Sequence, residues 1–179
     1  DLMENYPQRI AGACLATSRP VSDDIQERAK RNELHAALQE GQIDQVKEEL
    51  YSMLFAGQEK TLSAAIRDEV RGWIQGLKGK TLDVALQAIG QRKDYTFLLK
   101  SLKIPTLLVG AEKDLITHHN HTDIMAQQLP NCYKAVKLSS GHLVNMEKAD
   151  EFNANFIEFL RNLTPQRRSQ AFMQMCPAV

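Results

Sequence analysis

Residues 103–117, KIPTLLVGAEKDLIT, decide how this chain is read. The apolar run 104–110 carries Pro105 near its start, where a strand tolerates proline. Its length and its polar flank fit a strand buried on both faces of a parallel sheet. A polar loop follows, Gly110-Ala111-Glu112-Lys113-Asp114, and the pattern predicts a helix from about Thr117 to Leu129. Further on, residues 133–138 (YKAVKL) alternate apolar and polar as a strand does. The loop Ser139-Ser140-Gly141-His142 comes next, and Phe152, Phe156, Phe159 and Leu160 then recur as one helical stripe over 149–160.

Upstream, the run IAGACLAT, which begins at Ile10 and ends at Thr17, is the remaining strand signal; Ser18, Arg19 and Pro20 close it. Before it, DLMENY reads as the last turns of a helix stopped by Pro7. Between residues 22 and 92 the period is helical: Ile43, Val46, Leu50, Met53 and Leu54, then Leu62, Ile66, Val70, Trp73, Ile74 and Leu77, then Leu82, Ala85, Leu86 and Ile89. Roughly four amphipathic helices in succession, punctuated by Gly41, Gly57, Gly76, Gly79 and Gly90, predict a helical layer inserted between sheet strands, a lid. The expected fold class is α/β: a partial, doubly wound parallel sheet of about three strands with an inserted helical lid. The divisions are 1–20 for a helix end and core strand, 21–93 for the lid, 94–163 for the carboxyl-terminal core and 164–179 for a tail.

Composition limits the function. In 179 residues, 43% hydrophobic and 25% charged, 22 basic side chains balance 22 acidic ones. A chain with no net charge has no long-range field to gather nucleic acid or anionic lipid. Its apolar runs fall far short of the ~20 residues of a membrane helix, and no secretory leader opens it. Cys14, Cys132 and Cys176 are odd in number and widely spaced, which fits a reducing compartment and predicts a cytoplasmic protein.

Two loops at carboxyl ends of strands hold the candidate chemistry, Asp114 in one and His142 in the other. That edge of an open α/β sheet is where ligands bind. One strand-helix-strand crossover separates the two residues, and its right-handed topology predicts that both loops share a rim. An aspartate orienting a histidine base is the second half of a nucleophile-His-acid triad.

At these residues the chain resembles the α/β-hydrolase superfamily, in the branch of small lid-bearing serine esterases and lactonases. The likeness is carried by KIPTLLVGAEKDLIT and by residues 137–160, KLSSGHLVNMEKADEFNANFIEFL. Residues 6–10 resemble the turn into the strand after the family's nucleophile helix, and residues 17–55 resemble its lid. The resemblance implies that Asp114 is the triad acid and His142 the general base, in the family's Ser, Asp, His order. It implies a small ester or lactone as substrate, with no cofactor and no metal. The family's G-x-S-x-G elbow does not occur here, and none of the serines has its flanking glycines. The chain therefore reads as the carboxyl-terminal portion of a hydrolase, its serine and oxyanion donors lying upstream of Asp1, and as close to inert alone. The strand from Ile10 to Thr17 is then expected to pair through an open edge with a second copy or with an amino-terminal piece. The competing reading is a non-catalytic binding or assembly module that uses the same edge.

Several residues have plainer readings. His118, His119 and His121 have metal-like spacing but sit at a helix start, which predicts capping or solvated side chains. Glu112 reads as a polar loop residue rather than an alternative acid. Met53, Phe55, Trp73, Ile74 and Leu77 read as interhelical packing that can also line an acyl pocket. Arg92 and Asp94 read as a surface ion pair, and Cys14 as a small core residue.

Overall fold

Three strands, β1 (Ala13–Ala16), β2 (Thr106–Ala111) and β3 (Cys132–Leu138), lie parallel in that order in a computed structural model that describes residues 1–56, 60 and 62–163. β2 is central and buried at every residue, which is why its sequence is apolar without interruption. β3 alternates because only one face is covered. The ladder pairs Leu15 with Leu108 and Val109 with Val136. β1 is shorter than the expected run: its pairing begins where the Ala13 amide meets the Pro105 carbonyl at 2.9 Å. Gly12, just before it, lies against Phe159 and Leu163, where a β-carbon would come within 2.8 Å of Leu163 Cδ2.

The α-helices among the described residues are α1 (Leu2–Asn5), α2 (Ile25–Gln39), α3 (Ile43–Phe55), α4 (Ala64–Gly76), α5 (Gly79–Gly90), α6 (Asn120–Gln128), α7 (Val144–Glu147) and α8 (Ala149–Asn162). Alternate residues of β2 serve opposite faces. Leu107, Val109 and Ala111 pack with Phe159 and Leu163 at α8, while Leu108 packs with Met125 and Leu129 at α6. Gly110 shares the α6 face, and a β-carbon there would stand 2.4 Å from Thr122 Oγ1. A glycine is what lets α6 approach so closely. On α8 the core-facing stripe is the partly buried Phe152 and Phe156 and the buried Phe159, continued by Leu163 just past the helix end; Leu160, expected on it, is 40% exposed because one residue past Phe159 turns ~100° away from the sheet.

Among the described residues, the α-helices α2 to α5 lie in the chain between β1 and β2. α2 opens on a reciprocal cap, Asp24 accepting from the Glu27 amide and Glu27 from the Asp24 amide. Leu34, Leu38, Val46, Leu82 and Leu86 join α2, α3 and α5, and Tyr51, Phe55, Val70 and Ile74 join α3 to α4. Leu143 and Met146, beyond β3, pack on the second cluster and bind the helical layer to the sheet's carboxyl edge. Phe55 and Phe159, both essentially without exposed surface, each contribute roughly 2 kcal/mol of burial. Trp73, expected in this packing, is 53% exposed.

A second joint is polar. Asp23 lies at the entry to α2 with no exposed side-chain surface. Its Oδ2 accepts from Arg31 Nε at 2.7 Å, and its Oδ1 meets Arg92 Nη2 at 3.3 Å and Arg19 Nη2 more closely; Arg19 also reaches Glu27. Burial opposes the charge on Asp23, but the Arg31 hydrogen bond and the charges of Arg31, Arg19 and Arg92 outweigh it and hold the carboxyl below its ordinary range. Arg92 therefore does not pair with Asp94 as its sequence position suggested; Asp94 Oδ1 accepts from the Thr96 amide at 2.8 Å. Thr17, at the end of β1, has φ of 41°, a left-handed conformation that costs a β-branched residue energy and turns the chain towards this cluster.

No helix among the described residues is long and apolar enough to cross a membrane. The tail 164–179, Cys176 and Gly57 lie outside the described residues.

Candidate active site

Asp114 and His142 meet at the rim. The carboxylate Oδ2 of Asp114 lies 2.8 Å from His142 Nδ1, and its Oδ1 accepts from the amides of Ile116 at 2.7 Å and Thr117 at 3.0 Å. α6 opens at Asn120, later than the Thr117 expected from the sequence. The Asp114 side chain has no exposed surface, whereas that of His142 keeps 24% of its own. A buried carboxylate with both oxygens engaged accepts a hydrogen bond from Nδ1–H and fixes the ring and its tautomer, which leaves Nε2 without that proton.

The loops carrying the two residues are stitched by their backbones. Glu112 donates its amide to the Leu138 carbonyl at 2.9 Å, and Lys113 donates to the Ser140 carbonyl at 3.1 Å. Glu112 thus extends the β2–β3 ladder while its side chain stays exposed. The helical layer adds a third contact: the His142 amide donates to the Leu54 carbonyl at 2.8 Å, in the last turn of α3. Gly141 makes that approach possible, since a β-carbon there would be 2.8 Å from Leu54 O and 3.0 Å from Phe55 C.

Glu147, at the end of α7, escaped the sequence reading as a site residue. Its Oε2 accepts from the Gly141 amide at 2.9 Å and its Oε1 from the Leu143 amide at 3.1 Å, so its two oxygens bracket His142. Burial pushes its carboxyl above the ordinary value and the negative charge of Asp114 adds to this, against the opposing pull of the two amides and of His142. The spacing of five residues from His142 carries no periodic signal, because a short turn of helix intervenes.

The histidine cluster is local. His118 Nδ1 accepts from the Asn120 amide at 3.3 Å, the rings of His118 and His119 stack, and His121 is half-buried, its protonation disfavoured first by burial and then by the charge of Arg19. Among the described residues, no group of three or more His, Cys, Asp or Glu side chains is placed to hold a metal ion.

The fold is shared with solved structures. A thermophilic esterase from Thermogutta terrifontis superposes with a TM-score of 0.79 at 23% identity, over 89% of this chain and 59% of that one. The enol-lactonase from Burkholderia xenovorans LB400 gives 0.78 at 17% identity, over 90% and 60%. MGS-M2, an α/β hydrolase enzyme from a Medee basin deep-sea metagenome library, gives 0.76 at 17%, over 90% and 60%. The chain has the α/β-hydrolase fold. No protein-family model and no curated protein sequence matches it. The chain spans about three-fifths of the length of these structures, so it holds the part of the α/β-hydrolase fold that includes β1 to β3 and the helices between them.

Proposed function

We propose that His142 is the general base and Asp114 the orienting carboxylate of a Ser-His-Asp triad that hydrolyses carboxylic esters or lactones of modest size, with a serine from outside these 179 residues. The observation that carries this is the 2.8 Å bond between buried Asp114 Oδ2 and His142 Nδ1 at the carboxyl rim of a parallel sheet. His142 Nε2 accepts the proton of the serine hydroxyl as the serine oxygen bonds the substrate carbonyl carbon. The imidazolium passes that proton to the departing alkoxide, leaving an acyl-serine. Water, deprotonated by His142, then attacks the acyl carbon, and as the acyl–oxygen bond to serine breaks the imidazolium returns the proton to the serine oxygen, releasing the acid and restoring the free serine. Helices α2 to α5 act as the lid over the rim.

The serine reaches the rim through the open side of β1, which is paired only to β2 among the described residues. The partner strand there is an amino-terminal piece or a second copy, and a strictly monomeric species without such a piece at micromolar concentration in sedimentation would count against it. Cys14 and Cys132 are free thiols, which suits a reducing compartment such as the cytoplasm.

Intact mass of the full-length protein after treatment with a fluorophosphonate tests the whole reading. The expected result is one adduct on a serine, lost in His142→Ala; labelling that His142→Ala leaves unchanged would sink it.

A further inference from the structure

Three consecutive amides around His142 are all engaged. Gly141 and Leu143 donate to the two oxygens of Glu147 at 2.9 and 3.1 Å, and His142 itself donates to Leu54 O at 2.8 Å. The backbone on either side of the imidazole is thus clamped from the α7 side by one carboxylate and from the helical layer by one carbonyl. The clamp is electrostatically expensive, because Glu147 is half-buried and close enough to Asp114 for the two negative charges to oppose each other. A loop brace alone does not call for a second negative charge here, since neutral acceptors bind amides as well. A base that becomes imidazolium in each half-reaction does benefit from one.

We propose that Glu147 is a positioning residue for His142: its carboxylate holds the Gly141 and Leu143 amides and so sets the imidazole against both Asp114 and the substrate. The proposal rests on the reading of His142 as general base. Gln at this position keeps one acceptor and turns an amide donor towards the other N–H, so it preserves half the clamp and removes the charge. Ala removes both.

The test compares Glu147→Gln, Glu147→Ala, Asp114→Asn and wild type in the full-length protein, with steady-state ester hydrolysis and the low-field proton NMR signal of His142 Nδ1–H. We expect Glu147→Ala to lower kcat about 10²-fold with KM within about twofold, the loss a small misplacement of a reacting group produces. Its Nδ1–H signal should shift or broaden, with Glu147→Gln between it and wild type. Unchanged kcat in both Glu147 variants, with Asp114→Asn strongly impaired, would overturn the role of Glu147 and leave the triad standing. A fall in kcat with an unmoved Nδ1–H signal would overturn it too. Asp114→Asn as active as wild type would instead remove the triad reading on which the proposal rests. If Glu147→Ala does not fold, Glu147→Gln carries the same comparison.

Discussion

Asp23 and Asp114 are both aspartates without exposed side-chain surface, each in a segment that follows a sheet strand, yet they are built for opposite tasks. Asp23 faces the guanidiniums of Arg19, Arg31 and Arg92. That cluster can only hold: it joins the loop after β1, the start of α2 and the chain after α5. Asp114 faces one imidazole and two backbone amides. In the proposed reaction this carboxylate supports a ring that gains and loses a proton. The identity of the partner, more than the depth of burial, separates a structural joint from a chemical site.

The comparison breaks most sharply through function. Under the proposed function, Asp114→Asn and His142→Ala should each lower ester turnover by the full-length protein by about 10⁴-fold, with little change in thermal midpoint. Asp23→Ala should do the reverse. Leaving three arginines around an empty position costs on the order of 3 kcal/mol, readable in urea unfolding, while turnover per folded molecule stays near wild type. Equal losses of stability at the two aspartates would erase the distinction.

A smaller effect sharpens the link between the helical layer and the rim. Gly141→Ala places a methyl 2.8 Å from the Leu54 carbonyl oxygen, and backbone cannot yield as a side chain would. We expect a stability loss of about 1–3 kcal/mol, the range of overpacked sites, together with reduced turnover as the His142 loop moves off α3. Denaturant unfolding and kinetics on the same preparation measure both.

The smallest effect is in pH. The folded-state carboxyl of Asp23 is held below its ordinary value of 3.8, so its contribution is fully present above that value and is lost as pH falls through the lower, folded-state value. Unfolding of Asp23→Asn should therefore depend less steeply on pH than that of wild type between pH 4 and 2 (~2 units around the ordinary aspartate range). Parallel pH profiles would show that the arginines do not bias Asp23.

Much of the rim was legible before any coordinates. The apolar run over 104–110 and the alternation over 133–138 are one-dimensional records of how many faces of a strand are covered, and the handedness of one crossover suffices to bring Asp114 and His142 to one edge. Of the helices between β1 and β2, α3, α4 and α5 were legible through their period, whereas no apolar series marked α2, whose buried residues are Leu34 and Leu38. The Asp23 cluster was not. Its members span residues 19 to 92, and each charge reads singly as a solvated side chain; Arg92 pointed to its neighbour Asp94 because sequence offers no other nearby partner. Glu147 was hidden for the same reason, as a carboxylate that finds its two amides only once a turn of helix folds back beneath the loop.

Sequence by itself thus determined the strand and helix types, the α/β class and the rim placement of the acid and the histidine, because all of these follow from local periodicity and a chirality rule. Tertiary structure alone decided which charges lost their water and to whom they turned. Arg92 went to Asp23, Trp73 stayed exposed, Leu163 replaced Leu160 on the α8 stripe, and Glu147 came to bracket His142. Partner choice of that kind depends on distances between segments far apart in the chain, and those distances exist only after packing.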